Sequence, residues 1–154
     1  MGFAFAHHFA SYDALEALTN YRAHFKPSGW RSTPHGILAV AVVSAETDAE
    51  AERLASSMDL NRLRRDRGQF LPLPSVEEAL AYPYTDADRA SIARNRSRLF
   101  VGSPATVMAK LQPMIAESQA DELMIITAVY DHEARKKSYG LLADAFGLGN
   151  KAAA

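Results

Sequence analysis

Residues 37–43, Ile-Leu-Ala-Val-Ala-Val-Val, form an uninterrupted apolar run that is rich in β-branched side chains. Such a run with no polar position is typical of a strand that is buried on both faces of a parallel sheet. Residues 2–9 and residues 123–129 have the same apolar character. Stretches with helical periodicity separate the three segments, so the order predicts an α/β fold of parallel βαβ units with right-handed crossovers.

The predicted helices begin at side chains that can cap a helix N-terminus. Asp13 and Thr47 are each followed three residues later by a glutamate, which is the capping-box pattern. Ser103 followed by Pro104 is a further start signal. We expect Pro113 to kink or shorten the helix that contains it. The remaining predicted caps are Ser75, Thr85 and Asp131.

Residues 61–100 interrupt the regular alternation of strands and helices. They contain many arginines and the segment Phe-Leu-Pro-Leu-Pro at positions 70–74, which the prolines hold extended. We interpret residues 1–150 as one α/β domain, residues 61–100 as a helical excursion before the last strand, and residues 151–154 as a frayed tail. The arginines lack interleaved aromatic residues, so we interpret them as solvated helix faces rather than an RNA-binding surface.

Composition excludes several classes of protein. The 154 residues include 17 Lys and Arg against 18 Asp and Glu, a net charge of −1, which argues against nucleic-acid binding. There is no cysteine, so disulfides, thiolate metal sites and cysteine nucleophiles are excluded. The longest apolar run is too short for a bilayer, and no signal peptide is evident. We expect a cytoplasmic protein without a membrane segment.

Three parallel strands are few for an independent sheet. Both edges of such a sheet would present unpaired backbone groups beside apolar side chains. Parallel sheets occur almost only where both faces are covered, in doubly wound folds and barrels. We therefore expect either a homo-oligomer or a partner chain that completes the sheet, or coverage of the outer strands by the chain's own helices and excursion.

Two adjacent histidines, His7 and His8, close the first predicted strand. Parallel α/β folds place ligand sites at the carboxyl ends of their strands. Neighbouring strand residues point to opposite faces, so both histidines would not bind one metal ion. Either one packs in the core while the other contacts solvent or a backbone carbonyl, or at least one faces a ligand. Asp131 and His132 follow the third strand without metal-ligand spacing, and we predict no metal site.

Seven segments in this order and spacing carry a family resemblance. From about Phe3 to Phe146 the chain resembles the C-terminal part of the bacterial luciferase-like flavin monooxygenases. The segments are residues 3–10 (FAFAHHFA), 21–27 (YRAHFKP), 39–48 (AVAVVSAETD), 71–74 (LPLP), 101–107 (VGSPATV), 120–126 (ADELMII) and 130–135 (YDHEAR). The resemblance implies a partial TIM barrel whose strands are the last three of eight.

The resemblance also implies a flavin-dependent oxidoreductase that uses reduced FMN, or in some branches a deazaflavin. His7 would lie beside the isoalloxazine ring, with His8 or Phe9 shaping the pocket. The part of the family site that binds the flavin phosphate would be absent from this chain. The alternative is a non-catalytic remnant, or an assembly module whose sheet edges pair with another chain.

Topology alone suggests further pocket residues at the ends of the second and third predicted strands. Ser44, Thr127 and Tyr130 are the candidates for contact with a small-molecule substrate. The sequence identifies no catalytic residue.

Overall fold

The computed structural model describes residues 1–10 and 13–148. These residues form a parallel sheet flanked by helices, which confirms the α/β class. The strands are β1 (Phe3–Ala6), β2 (Gly36–Ser44), β3 (Leu99–Gly102) and β4 (Glu122–Ile126). The helices are α1 (Ala14–Ala23), α2 (Asp48–Asp66), α3 (Val76–Ala81), α4 (Asp86–Arg96), α5 (Pro104–Ser118) and α6 (His132–Ala145). The tail predicted at residues 151–154 lies outside the described residues.

Strand β2 is the centre of the sheet, and the other three strands all pair with it in parallel. β1 pairs with the first half of β2, and β3 pairs with its second half. Along β2 and its ends, the backbone groups of odd-numbered residues point toward both β1 and β3. His35 O accepts from the N–H of Phe3 in β1, and the N–H of Ala45 donates to Gly102 O in β3. β1 and β3 therefore share one edge of β2, while β4 occupies the other.

The structure corrects two details of the predicted strands and excursion. β3 was not predicted, because its four residues form too short an apolar run to show periodicity. It lies between α4 and α5, where the sequence analysis placed only an excursion. Helix α2 also continues to Asp66, so the first residues of the predicted excursion are helical.

Helices cover one face of the sheet completely. Phe5, Leu38 and Val42 point to this face and are buried against α1, α5 and α6. On the opposite face, α2 covers only the part of the sheet around the carboxyl half of β2, where Ala41 and Val43 pack against this helix. The core therefore lies on both sides of the carboxyl half of β2 and on one side of its amino half.

The rest of this second face is uncovered. We call its residues in β1 and β4 the bare face; they are Ala4, Ala6, Met124 and Ile126. Met124 is 52% exposed and Ile126 is 38% exposed, although both are apolar strand residues. The strand register places Ala6 and Met124 on either side of Ala39, with Ala4 beside Ile37 and Ile126 beside Ala41 on the same face. The prediction that all three strands are buried on both faces is thus wrong for β1 and β4, because no described element packs on this side.

The predicted helix starts are confirmed. Asp13, Thr47 and Ser103 each accept a hydrogen bond from a backbone N–H of the first turn that follows. Thr85 and Asp88 form a complete capping box at the start of α4. α5 runs through Pro113 to Ser118, so the proline does not shorten this helix.

Candidate active site

The candidate site residues lie at the carboxyl ends of β1, β2 and β4, which meet at one end of the parallel sheet. β1 ends at Ala6, and the chain then turns back, with the N–H groups of Phe9 and Ala10 both donating to Ala6 O. His7, His8 and Phe9 therefore belong to a turn rather than to the strand. Their side chains do not follow strict strand alternation.

His7 is half-buried in this turn. Its backbone N–H donates to Ala39 O at 2.9 Å, and its ring centroid lies 6.1 Å from that of Phe100. Burial lowers the pKa of His7, and a hydrogen bond to the backbone at Ser97 only partly opposes this. The imidazole is therefore a mainly neutral group at pH 7, packed against a residue of the helix-covered core.

His8 is also half-buried, whereas Phe9 is exposed. The Nδ1 atom of His8 lies 3.3 Å from Ala39 O, and its ring centroid is 4.4 Å from that of Phe9. Phe9 is 80% exposed. It lines a groove of about 260 Å³ along the free edge of β1, together with Ala4 and Ala6 of the bare face. The turn thus presents an aromatic surface next to the uncovered side of the sheet.

Ser44 and Thr127 are buried beneath α6. Their backbone N–H groups donate to Ser138 Oγ at 3.0 Å and to Tyr139 OH at 2.9 Å. Their own hydroxyl oxygens are buried without a partner among the described residues. Tyr130, by contrast, is 60% exposed. A role in a substrate pocket stays a prediction for all three, and only Tyr130 is open to solvent.

The N-terminus of α5 is occupied by a carboxylate of the protein itself. Asp48 accepts hydrogen bonds from the backbone N–H of Ser103 at 2.6 Å and from Thr106 Oγ1 at 3.0 Å. These bonds lower the pKa of Asp48. The position where a helix could bind a phosphate is therefore filled by this side chain. The Ser103 cap is evident from the sequence, but its bond to Asp48 is not, because the two residues are 55 positions apart.

Arg64 and Arg96 of the predicted excursion are largely shielded from solvent, so the interpretation as solvated faces is wrong for these two, whereas Arg67 is exposed and still makes an ion pair. Arg64 bonds to Glu78 at 2.6 Å and Arg67 to Asp88, which joins α2 to α3 and α4. Arg96 makes two bonds of 2.7 Å to Asp59 of α2. Burial raises the pKa of Asp59 even though this arginine opposes the shift. Sequence patterns missed these pairs because their partners lie on separate helices.

The residues that follow β4 bond to neighbouring residues at the start of α6. Asp131 caps α6, with its Oδ1 accepting from the N–H of Ala134 at 2.7 Å, and His132 Nδ1 contacts Arg135. Within residues 1–10 and 13–148, no three His, Cys, Asp or Glu side chains come together as metal ligands. No described helix is both long enough and apolar enough to cross a membrane.

Several known proteins are similar to this chain in sequence or in fold. No family model matches the chain. The Bacillus subtilis protein YceB is 40% identical over 95% of this chain and 44% of its own length. A luciferase-like monooxygenase of Escherichia coli K12 is 32% identical over 92% of this chain and 42% of its own length. The crystal structure of apo-MsnO8 superposes with a TM-score of 0.87 at 35% identity, over 96% of this chain and 45% of that one.

These matches extend along almost all of this chain but only part of each relative. The chain spans less than half the length of the curated relatives that it matches. Over that length its sequence is similar to theirs, and its fold matches that of apo-MsnO8. In the part that it spans, the chain is homologous to proteins of the luciferase-like monooxygenase family.

Proposed function

We propose that this chain supplies the flavin-ring side of the active site of a luciferase-like, flavin-dependent monooxygenase, with FMN as the cofactor. Homology to this family supports the class of reaction. The resemblance of the strand and turn at residues 3–10 to the flavin-facing strand of that family supports the cofactor. Because the chain spans less than half of its relatives, the rest of the small-molecule substrate pocket would come from outside these residues.

The observation that carries this proposal is the exposed aromatic surface at the end of β1. Phe9 is 80% exposed beside the ring of His8. Contiguous exposed apolar surface marks interaction sites, and here it lies at the ligand-binding end of a parallel sheet. A planar heterocycle such as isoalloxazine would stack on such a surface.

The residues present fit the ring of FMN better than its phosphate. Phe9 and His8 would hold the ring face, and the small side chains of Ala4 and Ala6 leave room for it along the groove. His7 would position the turn through its bond to Ala39 O. Reduced FMN supplies the oxygen-activating chemistry when bound, while these side chains orient it and exclude water.

A fluorescence titration with FMN tests the assignment. Phe9→Ala should weaken binding about tenfold or more, since stacking on an aromatic side chain is worth about 1–3 kcal/mol per base-like ring. Phe70→Ala is the matched control, because Phe70 is 77% exposed in the extended segment between α2 and α3. Equal affinities of the two variants would overturn the role of Phe9, and the lack of saturable binding by the unmodified chain would overturn the proposal.

Assembly with another chain is a second candidate function, either as a homo-oligomer or with a different partner chain. It is supported by the bare face, and by the free edges of β1 and β4, which no described strand pairs with. An apolar groove of about 500 Å³ lies between the outer side of β4 and α6. A strand added to β4 would bury its side chains in this groove.

Sedimentation of the unmodified chain tests assembly. We expect a self-associated species that Ile126→Lys dissociates, because the substitution places a charge on the bare face. Leu80→Lys is the control, since Leu80 is also exposed but lies on α3, away from the sheet. A monomer at all concentrations would exclude self-association, and a mixed complex with a co-purified chain would identify the partner as a different one.

A further inference from the structure

Three arginines meet beside the turn that follows β1. Arg62 comes from α2, Arg96 ends α4, and Arg98 lies just before β3. Arg98 Nη1 reaches Ala10 O at 3.5 Å, which brings this cluster to the carboxyl end of β1. The three side chains therefore concentrate positive charge next to the candidate active site.

Only one of the three is neutralised directly. Arg96 is held by both carboxylate oxygens of Asp59 at 2.7 Å, and it also contacts Glu52 at 3.0 Å. The carboxylate of Asp59 is therefore paired with the guanidinium of Arg96. Arg62 and Arg98 have no carboxylate within ion-pair distance among the described residues.

Asn95 holds the two remaining arginines close together. Its backbone oxygen accepts from Arg62 Nη1 at 3.1 Å, and its side-chain oxygen accepts from Arg98 Nη2 at 2.6 Å. The amide nitrogen of Asn95 donates to Asp66 at 2.9 Å, so this carboxylate bonds to the amide rather than to either arginine. Two guanidinium groups are thus held by one neutral residue, Arg62 by its backbone oxygen and Arg98 by its side chain.

Burial makes this arrangement costly without an anion. Arg62 is partly buried, and burial followed by the nearby charge of Arg98 lowers its pKa, although Asp59 and Asp66 oppose the shift. None of the unbonded nitrogens of Arg62 or Arg98 is shut off from solvent. The N–H groups that make no hydrogen bond can therefore reach a ligand. The planar guanidinium groups present paired N–H donors, and this geometry matches the oxygens of an oxyanion.

We propose that Arg62 and Arg98, held together by Asn95, form a binding site for a small oxyanion at the carboxyl end of β1. The chemical class is a phosphate or carboxylate group of a ligand. The inference goes beyond the proposed function, since it concerns residues outside the aromatic turn and does not depend on a flavin.

The test follows the arginine side-chain and backbone NMR signals during titration with inorganic phosphate and, separately, with acetate, at constant ionic strength set with chloride. We expect saturable shifts at residues around Asn95 in the unmodified chain. Arg62→Gln and Arg98→Gln should each weaken the anion's binding about tenfold, the scale of one charge-assisted pair of hydrogen bonds. Arg94→Gln is the matched control, because Arg94 is exposed on the same helix as Asn95.

Each result of these titrations either supports or overturns the proposed oxyanion site. Stronger binding of phosphate supports a phosphoryl ligand, and stronger binding of acetate supports a carboxylate. Shifts that match chloride alone, or equal affinity in the glutamine variants, overturn it. Arg98→Lys covers the case in which a glutamine variant does not fold, since it keeps the charge, loses the fork and should bind less tightly. Riboflavin, which lacks a phosphate, reports on the aromatic turn separately, so failure of either proposal can be told apart from the other.

Discussion

The carboxylate of Asp48, at the start of α2, accepts a hydrogen bond from the backbone N–H of Ser103, at the start of α5, at a distance of 2.6 Å. Two helix N-termini that are far apart in sequence are thereby joined above the carboxyl end of β2. The negative charge lies where the dipole of α5 and its free N–H groups favour an anion. One side chain thus both positions α5 and fills its anion site.

Replacing Asp48 should therefore destabilise the fold. We expect a lower Tm for Asp48→Ala than for Asp48→Asn, because asparagine keeps one acceptor. Because the pKa of Asp48 is lowered in the folded state, this stabilisation is present above the ordinary carboxyl pKa and is lost as the pH falls through the folded value. Asp86→Ala is the control at the first residue of α4, and an equal loss in both variants would argue against the bond to Ser103.

Gly102 is required where β3 meets α5. Its φ is +150°, and an added Cβ would lie 2.6 Å from Thr106 Cγ2 and 2.9 Å from Asp48 Oδ1. Gly102→Ala should cost about 1–3 kcal/mol in the free energy of unfolding, from backbone strain and the clash. Gly140→Ala should instead stabilise by about 0.5–1 kcal/mol, since Gly140 lies in α6 with open space around it. Denaturant titration of both variants checks the contrast, which a neutral Gly102→Ala would contradict.

Phe5 and Phe9 should differ in their effect on stability. Phe5 is 3% exposed in the helix-covered core, so Phe5→Ala should cost roughly 3–5 kcal/mol. Phe9 is 80% exposed, so Phe9→Ala should change the free energy of unfolding by less than about 0.5 kcal/mol. Chemical denaturation measures both. An unchanged midpoint for Phe5→Ala would mean that β1 is not buried as described.

His7 should make stability depend on pH in a known direction. Burial lowers its pKa in the folded state, so the unfolded chain binds the proton more readily. Its contribution is fully present above the ordinary histidine pKa, and it is lost as the pH falls from about 7 toward the folded value. His7→Gln should flatten this part of the profile when the free energy of unfolding of both proteins is measured across this pH range. Identical profiles for the unmodified chain and His7→Gln would contradict the assignment.

Local signals in the sequence were sufficient for the helix starts. Asp13, Thr47 and Thr85 bond to backbone groups within a few residues, so their roles can be predicted without the fold. The four residues of β3 were missed because they show no usable periodicity. Its contacts, like those between Asp48 and Ser103, depend on segments that are distant in sequence.

The position of the candidate residues in the fold could be predicted from the sequence, but the surroundings of their side chains could not. The topology correctly located His7, His8 and Phe9 at the carboxyl end of β1. Which ring is exposed depends on the turn at Ala6 and on Phe100 of the unpredicted β3, so the sequence could not distinguish them. The pairing of Arg62 with Arg98 depends on Asn95, which no sequence motif marks.

Binding of the flavin ring is tested most directly by titrating the unmodified 154-residue chain with FMN and measuring the solution mass of the same sample. We expect saturable quenching of flavin fluorescence that Phe9→Ala abolishes or weakens about tenfold, while Phe70→Ala leaves it unchanged. Quenching that never saturates, in a sample of either mass, would contradict the claim that this end of the sheet binds the flavin ring.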